Sequence, residues 1–387
     1  MTPRNRTTGI DVNRVILSDV KKDPMDAARQ WKKRQGKKTI AHLFPDVPEE
    51  IICAAGLLPL PVVGMGTPTA MFHHKLPSFV CPMIRNPLEM AFKGRLDFID
   101  GMIIPYVCDS TRAFTQVWEE NFPANLNHTL WLPKKTAGDS VRKFLRLEFN
   151  RLKQRLEDFV GQTIKEEDLA EAIQIYNQSR KHLRKLFQGV QQTPPLITYS
   201  EFILIVRATM TMSKEESRDL LDKRLENLEA RRAERTENGS ARILLLGTFY
   251  EIDPVLEDIE QAGMTIVMDN LYNGTRYFLQ DADETMDPID ALVERHLAKD
   301  PQSVYHYSKG RWKSFISRSI EELDIQGVIF MVPEYCEPSE FDYPLIRSLL
   351  EELAVPVLFL ESDFTTVSNA PVRTRLEAFS EILRGVA

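Results

Sequence analysis

GMIIPYVCDSTRAFTQVWEENF, residues 101–122, decides the fold class. Residues 101–107 form a continuous apolar run, the pattern of a strand covered on both faces in a parallel sheet. Asp109 and Ser110 then offer side-chain caps for a helix that opens at about Thr111. A strand that feeds a helix through so short a joint is a βα unit. Loops at the carboxyl ends of such strands are where α/β folds build ligand sites. Cys108 occupies that joint.

Upstream the same alternation continues. Pro48 opens a helix that runs through Ala55, Gly56 ends it, and LPLPVVG follows as a strand. A second helix begins at Pro82 and closes at Gly94. Downstream, TLWLP supplies one more short strand. From about Gly138 the pattern turns helical, with Thr163 and Glu166 read as a capping box ahead of Leu169, Ile173 and Tyr176 on one helix face. The segment 214–237 is dense in charge of both signs around a Leu221, Leu225, Leu228 stripe, the mark of a solvated amphipathic helix. Asn238-Gly239 ends it.

Alternation returns with ARILLLG as a strand, PVLEDIEQAG as a helix and MTIVMD as a strand. A helix near residues 291–298, the strand GVIFMV, a loop carrying Cys336, a helix from about Pro344 to Leu353 and the strand VPVLFLE complete the chain. The expectation is an α/β protein with two Rossmann-like or flavodoxin-like domains, each with a parallel sheet, plus a helical segment. Their bounds are 1–137 with Cys81 and Cys108, 138–238 for the helices, and 239–387 with Cys336.

Composition excludes several classes. With 43% apolar and 27% charged residues the chain is neither disordered nor fibrous. A formal charge of -7 lacks the basic footprint of a dedicated nucleic-acid binder. Four cysteines in 387 residues make no disulfide framework, which points to a reducing compartment. The N-terminus shows no secretory signal pattern, so a cytoplasmic protein is expected. Residues 51–72 carry no charge, but Pro59, Pro61 and Pro68 with Gly56, Gly64 and Gly66 would break a spanning helix, so no membrane partner is expected. The turn after ARILLLG reads GTFYEIDP, which is neither a dinucleotide fingerprint nor a phosphate loop. GxSxG and HExxH motifs are also absent.

The cysteines remain. Cys81 and Cys108 stand beside helix starts, whose free N–H groups and dipole favour a thiolate or an anionic cluster. Cys336 can close the same site from the other domain. Their spacing matches no sequential zinc or ferredoxin motif, and each one singly reads as an ordinary buried residue. A shared metal centre and a zinc-stabilised binding module that adds His73 or His74 both stay open. Cys53, inside IICAAGLL, reads as a small buried side chain in an apolar helix.

FPDVPEEIICAAGLLPLPV, CPMIRNPLEMAFKGRLDFIDGMIIPYVCDSTRAF, YNQSRKHLRKL and CEPSEFDYPLIRSLLEELAVPVLFLESD with RTRLEAF together resemble the 2-hydroxyacyl-CoA dehydratase and benzoyl-CoA reductase family, from His42 to the C-terminus. Within it, CDSTRAF followed by TLWLPKK is most similar to the smaller cluster-carrying subunit of ATP-dependent benzoyl-CoA reductase. The resemblance implies that Cys81, Cys108 and Cys336 ligate one 4Fe-4S cluster with one iron left without a cysteine. It implies a related cluster-carrying partner subunit, ATPase subunits that bind the ATP and activate electrons, and ferredoxin as donor. It also implies an aromatic acyl-CoA substrate reduced to a cyclohexadiene-carboxyl-CoA. A 2-hydroxyacyl-CoA dehydratase subunit, removing water by radical chemistry, is the alternative within the family. Glu50, His73 and His74 precede Cys81 and are the proton-donor candidates, although the helix dipole alone also explains a carboxylate at Glu50. One departure stands out: Val367-Ser368-Asn369-Ala370-Pro371 replaces a Gly-Gln pair expected before RTR.

Overall fold

The computed structural model describes residues 12–62, 75–123, 126–230, 239–248, 253–305, 309–362 and 370–386. The continuous apolar runs become two four-stranded, all-parallel sheets. In the first, β1 (Thr39–His42), β2 (Leu58–Pro61), β3 (Gly101–Tyr106) and β4 (Leu126–Trp131) take the order β2-β1-β3-β4. In the second, β5 (Ala241–Gly247), β6 (Met264–Asp269), β7 (Gly327–Pro333) and β8 (Val357–Ser362) take the order β6-β5-β7-β8. The two topologies are the same. In each, the chain reverses direction across the sheet after its second strand, which opens a crevice at the carboxyl ends between the first and third.

β5 and β7 run so close that a Cβ on Gly247 would lie 2.3 Å from the Met331 carbonyl oxygen. Only glycine fits there, which accounts for the residue that ends ARILLLG.

Helices α1 (Val12–Lys22) and α2 (Asp26–Gln35) precede the first sheet, and α3 (Glu49–Ala54), α4 (Pro82–Phe92) and α5 (Asp109–Asn121) connect its strands. Four helices follow: α6 (Asp139–Val160), α7 (Glu166–Val190), α8 (Tyr199–Thr211) and α9 (Lys214–Ala230). Around the second sheet lie α10 (Asp253–Gln261), α11 (Thr275–Phe278), α12 (Pro288–Ala298), α13 (Lys309–Leu323), α14 (Glu337–Glu352) and α15 (Ala370–Val386).

Helix α8 is apolar and buried along most of its length. Phe202, Ile205 and Val206 are wholly buried, each contributing about 1.5–3 kcal/mol by leaving water. It packs on β2 of one sheet and β6 of the other, so the helical segment joins the two sheets edge to edge. Among the described residues no helix is long and apolar enough to cross a membrane.

Three local expectations are corrected. Helix α7 begins at Glu166 without Thr163: Glu157 takes the Ile164 N–H at 2.8 Å, and Asp168 takes the Lys165 N–H at 3.1 Å. Helix α14 begins at Glu337, well before Pro344, because Pro338 in its first turn is the stronger start signal, and Pro344 is accommodated inside it. Helix α5 takes neither Asp109 nor Ser110 as its N-cap; that position is Cys108 itself.

Candidate metal centre

All three of the singled-out cysteines are helix N-caps: Cys81 for α4, Cys108 for α5 and Cys336 for α14. The position is physical rather than incidental, since an N-cap side chain faces the unpaired N–H groups of the first turn. At Cys81 the Ile84 and Arg85 N–H groups donate to the cysteine's own carbonyl at 3.0 and 3.2 Å, which leaves the sulfur at the open first turn of α4. At Cys336 the sulfur meets the Ser339 hydroxyl at 3.3 Å.

Cys108 is fixed through Thr111. The N–H groups of Val107 and Cys108 each donate to the Thr111 Oγ1 at 3.1 Å, and that hydroxyl donates to the Cys108 carbonyl at 2.7 Å. Cys336 is presented by a sharp turn: Tyr335 has φ +61° and the Cys336 N–H donates to the Pro333 carbonyl at 3.1 Å. A non-glycine residue in the left-handed region stores on the order of 1–2 kcal/mol, and such strain clusters at functional sites.

The three cysteines line one cleft of about 540 Å³ between the two sheets. Cys108 leaves the end of β3 and Cys336 the end of β7, the third strand of each sheet. The cleft therefore joins the two topological crevices. Burial pushes the Cys81 thiol well above its ordinary range, and the neighbouring Cys336 and Cys108 sulfurs push it further. Burial likewise raises Cys336, to about 11. Such thiols stay protonated until a cation takes their charge.

Among the described residues, no group of three or more His, Cys, Asp or Glu side chains is drawn tightly enough to hold a single metal ion. One tetrahedral ion with bonds of about 2.3 Å would need its sulfurs about 4 Å apart. A multi-iron cube spreads its outer ligands more widely. Three thiols on three helix N-termini, at the mouth of one cleft, suit such an anionic cluster in number, chemistry and placement.

The cleft is otherwise acidic, with Asp109, Glu337 and Asp342 in its wall, and Lys134 is the one cation lining it among the described residues. Across its back, Arg85 of α4 approaches Glu334 at 3.9 Å, linking the turn of Cys81 to that of Cys336.

Below the cleft, Asp46 is buried at the junction of the two sheets. Its Oδ1 lies 3.2 Å from the Lys299 ammonium and 3.5 Å from the Arg276 guanidinium. Burial alone would raise its carboxyl. Lys299 and Arg276 instead hold it well below the usual carboxylate range.

Glu50 does not line the cleft. It is buried in α3 in an ion pair with Arg180, which together with Arg295 overcomes burial and keeps the carboxyl ionised. His73 and His74 lie outside the described residues. Cys53 is half-buried and faces a second cavity of about 300 Å³, beside the residues that enter β1 and β2, at the opposite end of the first sheet's strands from Cys108. Its surroundings are more polar than an apolar helix suggests, with Tyr176, Lys214 and Glu215 lining the same cavity, and burial lifts its thiol to about 12. The sequence reading also missed Thr111 and Lys134. CDST placed the first beside a cysteine, but only the fold shows which side chain closes the turn.

A family model described as 2-hydroxyglutaryl-CoA dehydratase, D-component, matches residues 46–383. The (R)-phenyllactyl-CoA dehydratase beta subunit of Clostridium sporogenes is 26% identical over 371 residues, covering 95% of this chain and 97% of that one. A benzoyl-CoA reductase subunit of Thauera aromatica is 27% identical, covering 92% and 94%. The (R)-2-hydroxyglutaryl-CoA dehydratase subunit beta of Acidaminococcus fermentans is also 27% identical, covering 91% and 94%.

Proposed function

We propose, from the premise that the chain belongs to the 2-hydroxyglutaryl-CoA dehydratase D-component family, that it is the 4Fe-4S subunit of an ATP-dependent enzyme acting on a CoA ester. The observation that carries the proposal is the convergence of Cys81, Cys108 and Cys336, each an N-cap, on one cleft between two like sheets. These residues would hold the cluster. A cysteine-ligated cluster supplies single electrons at low potential. The chain's own part is to bury that centre, to set its sulfurs at three helix N-termini and to hold the two lips of the cleft together.

Reduction of benzoyl-CoA to a cyclohexadiene-carboxyl-CoA is the first reading, supported by CDSTRAF and TLWLPKK and by the likeness to the Thauera aromatica benzoyl-CoA reductase subunit. Dehydration of a 2-hydroxyacyl-CoA is the second, supported by the likeness to two dehydratase beta subunits. Both readings include a related cluster-carrying subunit, ATPase subunits that bind the ATP, and ferredoxin as electron donor. His73 and His74 stand as proton-donor candidates, since Glu50 is committed to Arg180.

The test is anaerobic. Wild-type chain should bind iron and sulfide and be brown, and Cys81→Ala, Cys108→Ala and Cys336→Ala should each lose most of the iron, while Cys53→Ala keeps it. Iron retained in all three cleft variants would sink the site. With its partners, turnover of benzoyl-CoA that consumes ATP continuously supports reduction; turnover of a 2-hydroxyacyl-CoA on catalytic ATP supports dehydration.

A further inference from the structure

The ammonium of Lys134 donates to the carbonyl of Val107, the residue before Cys108, and to the carbonyl of Val304 at 3.1 Å. Val107 belongs to the first lip of the cysteine cleft and Val304 to the opposite one. Neither anchor is loose. Val107 is held by Thr111. The segment of Val304 is pinned by Gln302, whose side-chain amide donates to the Gly247 carbonyl at 3.0 Å and the Asn270 carbonyl at 3.2 Å, at the ends of β5 and β6.

We propose that Lys134 is a positioning residue that clasps the two lips of the cysteine cleft and serves as the counter-charge for the sulfurs they present. Two hydrogen bonds from one charged group, made across the cleft, set how far the Cys108 lip stands from the C-terminal half. Charge-assisted bonds of this kind are worth roughly twice a neutral one. The charge has a second consequence. The remaining charges in the wall, Asp109, Glu337 and Asp342, are acidic. A negatively charged group held there by three thiolates would meet no other cation in the wall of the described cleft. Removing the ammonium would disfavour the reduced, more negative state of that group. The clasp follows from the geometry alone; the counter-charge rests on the cluster reading above.

The experiment uses the full chain as wild type, Lys134→Met, Lys134→Arg and, as a neighbouring control, Lys135→Met. Before iron is added, a short bifunctional thiol reagent bridges Cys108 to Cys336, and the rate is read by peptide mass spectrometry. Lys134→Met should bridge about tenfold more slowly, the scale of one charged hydrogen bond. Lys134→Arg should recover most of the rate, and Lys135→Met should match wild type. After anaerobic loading, the reduction midpoint of Lys134→Met should move to more negative potential and that of Lys134→Arg should stay near wild type. A loss of fold alone would not give that charge-dependent pattern.

If Lys134→Met does not fold, Lys134→Gln, which keeps a donor but no charge, should show the midpoint shift with a smaller loss of bridging. Lys134→Met matching Lys135→Met in both readouts would overturn the proposal, as would an arginine that rescues neither. Wild-type protein that takes up no iron would overturn the cluster reading and the counter-charge with it, while the bridging rates would still decide the clasp.

Discussion

Thr111 does for Cys108 what no neighbouring acid does: one hydroxyl accepts two backbone N–H groups and donates to a carbonyl, all within a single turn. Thr111→Ala leaves the buried Val107 donor and the part-buried Cys108 donor unpaired, at about 1–3 kcal/mol for the buried one before relaxation. We expect a lower unfolding midpoint in urea together with a partial loss of bound iron, whereas Thr111→Ser should keep both. A serine variant no better than alanine would show that the methyl packing, and not the hydroxyl, fixes the turn. Asp269 gives a test in pH. Burial raises its carboxyl from 3.8 to about 6, against the pull of the Leu271 and Thr275 N–H groups at 2.8 and 2.9 Å. The folded state therefore holds more protons than the unfolded chain between pH 3.8 and about 6. Stability from this group is present below pH 3.8, falls as pH rises through that window, and above about 6 the cost is full, on the order of 3 kcal/mol. Asp269→Asn can still accept both N–H bonds. We expect it to be at least as stable as wild type at pH 8 and to lose the slope between pH 4 and 6 in urea titrations; an unchanged slope would assign that pH dependence elsewhere.

At the scale of elements, the short run from Asp46 to Glu50, which leads from β1 into α3, shows where the sequence was legible and where it was not. Pro48 and Gly56 marked the helix, and the βα alternation gave both sheets because strand and helix periods are local properties. Partners are not local. Asp46 meets Arg276 and Lys299, Glu49 meets Lys214 and the Tyr277 hydroxyl, and Glu50 meets Arg180, all from beyond residue 175. A reading of PDVPEE alone offers the helix dipole for these acids, and it cannot see that they fasten the first sheet to the rest of the chain. The same limit hid the role of Lys134, whereas the start of α14 was legible in Pro338 and was overlooked, and Cys81 and Cys108 stood out because they adjoin helix starts in sequence. Two outcomes follow. Glu50→Ala strands the buried Arg180 and should cost about 3–5 kcal/mol, whereas the double variant Glu50→Ala, Arg180→Met should recover much of it; a double variant as unstable as the sum of the singles would deny the pair. Glu49 is harder to protonate when folded: despite burial, Lys214 and His42 hold its carboxyl near 2, below its ordinary 4.5. Its contribution is present above pH 4.5 and is lost as pH falls toward 2. Glu49→Gln should therefore lessen the acid-side loss of stability over that window, as read by circular dichroism.

At the scale of the molecule, the mouth of the cleft carries exposed aromatic side chains. Phe341, in its wall, is 82% exposed, and Tyr335 beside Cys336 is 46% exposed. Phe79, two residues before Cys81, is also exposed. Aromatic side chains gathered around the mouth of a polar, thiol-bearing cleft contribute little to this chain's own stability, since they leave little water on folding. They are what a covering surface would bury, and under the proposed function that surface is the related cluster-carrying subunit. The volume argues the same way: about 540 Å³ is within the range of pockets for small ligands, and a CoA ester with its nucleotide and pantetheine arm needs more wall than that. We therefore expect the isolated chain to turn over no CoA ester, and we expect Phe341→Glu to separate folding from assembly. Because Phe341 is so exposed, its replacement should leave the unfolding free energy within about 0.5 kcal/mol of wild type. Iron content should also be unchanged, because no cysteine is touched. Affinity for the partner subunit, measured by sedimentation or calorimetric titration, should fall by tenfold or more, about the 1.4 kcal/mol or greater loss of an interface anchor. A Phe341→Glu chain that binds the partner as tightly as wild type would place the covering surface elsewhere, and one that loses iron would show that the side chain belongs to the centre and not to its lid.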